Sequence, residues 1–163
     1  MAAANIPYTS VEEYPQQITA TAILVRMLDG LGFRFRYATE GLTSSDYAWR
    51  AENGSRTIAE IVEHIWGLMN WICLNIFDTE ESRPTDAETQ RLQILELILK
   101  LRAYFEHIDD AELARITIEK LPFWHIINGP LSDALTHTGQ INTLRRLAGN
   151  PPVKTRPFLL RQA

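Results

Sequence analysis

At 163 residues the chain has the length of a single domain, 1–163, with a core of ordinary size. An apolar content of 45% with a net charge of −4 and a pI near 5.6 fits a globular protein and excludes the basic footprint of a nucleic-acid binder. The one cysteine, Cys73, excludes an internal disulfide and suits a reducing compartment. No uncharged apolar run approaches the roughly 20 residues of a membrane span. Residues 1–7 lack the charged and apolar regions of a secretory signal, so a cytoplasmic location without membrane contact is expected.

Residues 1–17 read as a lead-in. The first helical pattern covers 18–42, where Gly30 and Gly32 mark close packing or a kink. A turn at Asn53-Gly54-Ser55 precedes the second, at 57–77; Ser55 or Thr57 is placed to cap it, and Glu60 stands at capping-box spacing from Thr57. The third spans 86–107, after the proline turn Arg83-Pro84-Thr85. Residues 108–128 are less regular: a short helix near 110–116, an extended run at 116–119, then the aromatic-rich Leu121-Pro122-Phe123-Trp124-His125. The fourth helix covers 129–147 and stops at Gly149-Asn150-Pro151-Pro152. Residues 153–163 read as an irregular surface tail. The basic residues Arg145, Arg146, Lys154, Arg156 and Arg161 read as solvated surface. Four helices of about 20 residues, with no competing strand pattern, predict an all-α four-helix bundle.

Two helices carry polar residues on stripes that such a bundle turns inward. At about 100° per residue, Asp133, His137, Gln140, Leu144 and Ala148 share one side of the fourth helix. On the second, His64 lies with Ile61, Leu68 and Ile72. Desolvating a carboxylate and an imidazole requires a compensating partner residue, a water or a metal ion. His64, Asp133 and His137 form a three-ligand set suited to zinc, nickel or ferrous iron, with a coordination position left for water or substrate. The same residues can instead close a metal-free polar network completed by Gln140.

Other residues carry weaker signals. His125 is a candidate for the mouth of the same pocket, with packing or capping as the simpler role. His107 suits the C-terminal end of a helix dipole. Cys73 lacks a basic neighbour and reads as a structural thiol. Glu60 and His64 do not have the Glu-x-x-His spacing of a di-iron bundle, and no phosphate-binding loop, nucleophile elbow or zinc-ribbon spacing is present.

Two segments resemble the DinB/YfiT-like four-helix-bundle superfamily, and the likeness extends over nearly the whole chain. Ser55-Arg56-Thr57-Ile58-Ala59-Glu60-Ile61-Val62-Glu63-His64-Ile65-Trp66 is similar to the family's second-helix segment with its single metal-binding histidine. Asp133-Ala134-Leu135-Thr136-His137-Thr138-Gly139-Gln140-Ile141 is similar to its H-x-x-x-H followed by R-G-Q, with Asp133 in place of the first histidine and Thr138 in place of the arginine. The resemblance implies a bundle with one crossover connection and ligand positions at His64 and His137. It further implies a metal-dependent enzyme, such as a transferase or isomerase acting with a low-molecular-weight thiol on a small-molecule substrate, often as a homodimer. Metal-assisted hydrolysis and a non-catalytic binding or assembly module are the alternatives.

Overall fold

The computed structural model describes residues 6–11 and 13–153. Its fold is all-α in character: the long helices are α1 (Ala20–Thr39), α3 (Ile58–Phe77), α4 (Ala87–His107) and α7 (Ser132–Leu147). Short helices α2 (Ser44–Ala48) and α5 (Asp110–Leu113) sit in the connections. The extended run pairs only as a small hairpin, β1 (Thr117–Ile118) with β2 (Leu121–Pro122). Among the described residues, no helix is long and apolar enough to cross a membrane.

The helix starts follow local chemistry. Thr57 and Glu60 form the expected capping box on α3, and Asp86 caps α4 through the Thr89 amide. Helix α1 is closed by Thr19 and by a distant residue, because Asp110 accepts from the Ala20 and Thr21 amides at 3.1 and 2.9 Å. At the other end of the chain, Gly149 takes φ +87 just after α7, the left-handed stop that a glycine allows. The tail at 154–163 lies outside the described residues, as do the basic residues Lys154, Arg156 and Arg161.

Contacts along the helices fix their directions. Arg91 of α4 donates to Thr39 near the end of α1, and Arg102 near the end of α4 meets Asp29, so α1 and α4 are antiparallel. Trp66 bonds Gln93, Cys73 lies against Leu97, and Phe77 stacks on Tyr104, so α3 and α4 run parallel. The 78–86 connection therefore travels back along α3, tied there by Glu81 to Asn70 and by Arg83 to Glu63. Helix α7 runs with α1, their C-terminal ends joined by Arg145. Each of the four long helices packs against two others, in the order α1, α4, α3, α7.

Between them lies the core: Leu28, Leu31 and Phe35 from α1; Ile58, Ile61, Ile65, Met69 and Ile72 from α3; Ile94, Ile98, Leu101 and Phe105 from α4. Helix α7 adds only Ala134, Ile141 and Leu144 to this face. One glycine of α1 is set by packing: a Cβ at Gly32 would sit 2.5 Å from the Tyr8 ring, so the lead-in crosses α1 there. Cys73 is fully buried, and burial pushes its thiol up to about 12, as suits a structural thiol.

Two sequence expectations change. The last helix begins at α6 (Trp124–Ile126), not at 129, widens into a π-helical turn over Ile127–Leu131 and continues as α7. Pro130 lacks an N–H and reads as a helix start, but the wider turn accommodates it, and Ser132 Oγ donates to the Ile127 carbonyl at 2.6 Å. Arg145 is not solvated: it is 3% exposed and donates to the carbonyls of Ala38, Glu40 and Asn150 at 2.9, 3.0 and 2.8 Å. It satisfies the free carbonyls where α1 ends.

Candidate metal centre

Helices α3 and α7 run antiparallel, and their seam brings His64 of α3 against Asp133 and His137 of α7, which follow it by 69 and 73 positions in the chain. The π-helical turn ends one residue before Ser132, so it sets the rotation with which Asp133 enters the seam. Ile61 and Ile65 on α3, and Ala134 and Ile141 on α7, are buried on either side and anchor the two backbones. Inserting a π turn at a functional position is a recurrent way of aiming one side chain without breaking a helix.

The distances are close. His64 Nε2 lies 3.0 Å from Asp133 Oδ2, and His137 Nε2 lies 3.3 Å from Asp133 Oδ1. The two imidazoles meet edge to face, centroids 4.6 Å apart and planes at 85°. One ligand atom from each of the three residues fits within 4.8 Å of the others. In a tetrahedral shell with bonds of about 2.0 Å, ligand atoms are about 3.3 Å apart. The two nitrogen–oxygen separations, 3.0 and 3.3 Å, are compatible with that spacing as well as with direct hydrogen bonds.

Gln140 engages one of the two rings. Its Oε1 lies 2.8 Å from His137 Nδ1, so Nδ1–H donates to it. With Nδ1 engaged in this way, Nε2 is the ring nitrogen that faces the Asp133 carboxylate. A proton or a metal cation between Nε2 and the carboxylate satisfies both at their 3.3 Å separation. A histidine whose far nitrogen is held by an amide oxygen is the arrangement that supports a metal ligand. Two imidazoles and one carboxylate can thus hold a divalent ion and leave positions open to the groove.

The inward stripe expected of α7 is rotated. The fully buried side carries Ala134, Thr138 and Ile141, with Arg145 on the next turn, about one residue around from Asp133, His137 and Gln140. Thr138 hides its hydroxyl by donating to the Ala134 carbonyl at 2.8 Å. The triad therefore lines the margin of the core, with side-chain exposures of 35% for His64, 44% for Asp133 and 12% for His137. That half-buried position removes most of the desolvation cost which a core-facing stripe would carry.

The triad opens into a groove of about 870 Å³ between α3 and α7, whose walls include Ser55, Arg56, Ile61, Thr136, Gln140 and Leu144. A second groove of about 610 Å³ lies on the other side of His64, against Glu60, Glu63, Trp66 and Arg83. Gln140 takes its expected place beside the metal candidates. His125 does not join them: it is exposed on the first turn of the last helix and lines neither groove. His107 Nδ1–H donates to the Ala103 carbonyl, 2.6 Å away, at the end of α4. Arg56, which lines both grooves, went unnoticed as a candidate; its place two residues before a capped helix start was the available signal.

Family descriptions, curated proteins and solved structures were compared with the chain, and none matches it.

Proposed function

We propose that this chain is a metal-dependent enzyme of the DinB/YfiT-like four-helix-bundle kind, with His64, Asp133 and His137 as the ligands. The observation that carries the proposal is the convergence of both Nε2 atoms on one carboxylate at 3.0 and 3.3 Å, with His137 Nδ1 engaged by Gln140. The helix directions add support, because α1, α3, α4 and α7 with a returning 78–86 connection match the crossover implied by the resemblance. Zinc, nickel and ferrous iron suit two imidazoles and a carboxylate. When bound, such an ion supplies Lewis acidity that lowers the pKa of a thiol or water in its open position.

The groove favours a thiol over water. Asp133 is the only carboxylate among the described residues lining it, and as a ligand it is unable to serve as general base. A thiol, with an ordinary pKa of about 8.5, needs little help to ionise, whereas a water nucleophile gains more from a base. The reaction we favour is therefore transfer of a low-molecular-weight thiol to a small electrophile, or an isomerisation through such an adduct. His64 and His137 would hold the reacting end of the groove, Gln140 would fix the His137 ring, and the buried Ile61 wall would keep the α3 backbone still. A cytoplasmic setting and a homodimeric state belong to the same proposal; sedimentation reads the second.

The test is a product analysis. Protein loaded separately with zinc, nickel or ferrous iron is incubated with 2-mercaptoethanol and 1-chloro-2,4-dinitrobenzene, and in parallel with 4-nitrophenyl acetate alone. A thioether formed faster than background, and lost in His64→Ala, supports transfer. Ester cleavage without thioether moves the reaction to hydrolysis. Neither product with any metal leaves the non-catalytic binding module, in which the 3.0 Å His64–Asp133 contact is a hydrogen bond and nothing more.

A further inference from the structure

The charges around the triad are paired, with one exception. Glu60 accepts from the Thr57 amide at 2.6 Å and lies 3.7 Å from Arg50; Glu63 is paired with Arg83; Asp133 is shared by the two histidines. Arg56 makes no hydrogen bond and no ion pair among the described residues, and it is the smallest of the influences named on Glu60. It is exposed, and it borders both grooves that meet at His64. It is the one arginine or lysine among the described residues lining the larger groove.

Arg56 is also well anchored at its base. The neighbouring Ser55 Oγ donates to the Ala51 carbonyl at 2.7 Å, and Thr57 is locked in the capping box with Glu60. The backbone on both sides is thus held while the guanidinium stays available. From Ile58, the first residue of α3, to His64 the helix rises about 9 Å at about 1.5 Å per residue, and Arg56 stands two positions before Ile58. A guanidinium on its flexible stem covers part of that distance. Gln140, whose amide oxygen is engaged with His137, keeps its NH2 donors for the groove between the two points.

We propose that the molecule held by the triad carries an oxyanion, a carboxylate or a phosphate, several bonds from its metal-binding atom, and that Arg56 grips this group. The inference rests on the metal reading of the triad. It adds the substrate class: a small, bifunctional anion, with a soft or nucleophilic end at His64 and His137 and a charged end at Arg56. A planar fork of N–H donors suits carboxylate and phosphate better than a point charge would. Because the guanidinium is exposed, the grip is expected to weaken with salt.

Cobalt(II) reports on both ideas separately. The full chain is loaded with cobalt, and its visible bands are followed during titration with 6-mercaptohexanoate and, in parallel, with the uncharged 6-mercapto-1-hexanol. We expect a thiolate-to-cobalt band with both, at least tenfold lower concentration being needed for the acid. Arg56→Gln should leave cobalt uptake intact and bring the acid to the level of the alcohol; Arg56→Lys should restore part of the preference. Hexanoate phosphonate analogues, tested as competitors, separate carboxylate from phosphate preference. Equal titration of acid and alcohol by the unaltered chain, with cobalt bound, overturns the role of Arg56 while leaving the metal site standing. Failure to take up cobalt removes the metal reading, and this inference with it.

Discussion

Replacing Asp133 by alanine separates a metal centre from a hydrogen-bonded network by magnitude. Without metal, the substitution removes one acceptor from His64 at 3.0 Å and one contact from His137 at 3.3 Å. A hydrogen bond contributes about 0.5–1.5 kcal/mol net, and the 44% exposure of Asp133 puts each contact at the lower end, roughly 1 kcal/mol together. For a chain of this size that is a fall in Tm of about 2–4 °C. With metal at a hundred times its Kd, the unaltered protein gains about 2.7 kcal/mol, or a rise of about 5–11 °C. The assay is differential scanning calorimetry of both proteins, each with chelator and with zinc. We expect a small difference in chelator, a clear zinc-dependent rise in the unaltered protein, and little or none in Asp133→Ala. Equal zinc-dependent rises in the two proteins would refute the ligand role of Asp133. So would a loss above 10 °C in chelator, which would make the residue structural.

Arg145→Met, close in length but uncharged, leaves the carbonyls at the end of α1 without their donor. Urea unfolding should show a loss of roughly 2–4 kcal/mol with no change in metal content. Asp46 is held below the ordinary carboxylate range, first by the Thr43 amide and then by Asn150 and Thr43 side chains against the opposing cost of burial. Its contribution is therefore full above its unfolded pKa of about 3.9 and is lost as pH falls through the lower folded value. Asp46→Asn should flatten the acid limb of a stability–pH curve measured by urea midpoint below about pH 4. Cys73, with its thiol pushed up to about 12, should resist a disulfide-exchange reagent in the native protein at pH 8 and react at once in denaturant. Fast reaction of the native protein would contradict its burial.

Much of the helical skeleton was legible because it depends on local chemistry. The capping box at Thr57 and Glu60, the Asp86 cap and the Gly149 stop are readable from neighbouring residues, and the helices begin or end there. The meeting of His64 with Asp133 and His137 was also foreseeable, since each lies near an apolar stripe at helical spacing. What escaped depends on distant partners. Arg145 looks like surface until the unbonded carbonyls of α1 are placed beside it. Thr138 looks polar until its hydroxyl folds back on Ala134. Together they moved the buried side of α7 about one residue around and left the triad at a margin instead of inside the core. The helix start at Trp124 was hidden by Pro130, which a π-helical turn accommodates and an ordinary α-turn would not.

The most direct measurement is the metal content of protein purified without a histidine tag, by inductively coupled plasma mass spectrometry after exhaustive chelation and reconstitution, for the unaltered chain and for His137→Ala. A metal-binding triad predicts close to one divalent ion per chain, retained through gel filtration and lost in His137→Ala, with circular dichroism unchanged between the two. No retained ion in the unaltered chain, or the same content in His137→Ala, would contradict it and leave His64, Asp133 and His137 as a polar network at the seam of α3 and α7.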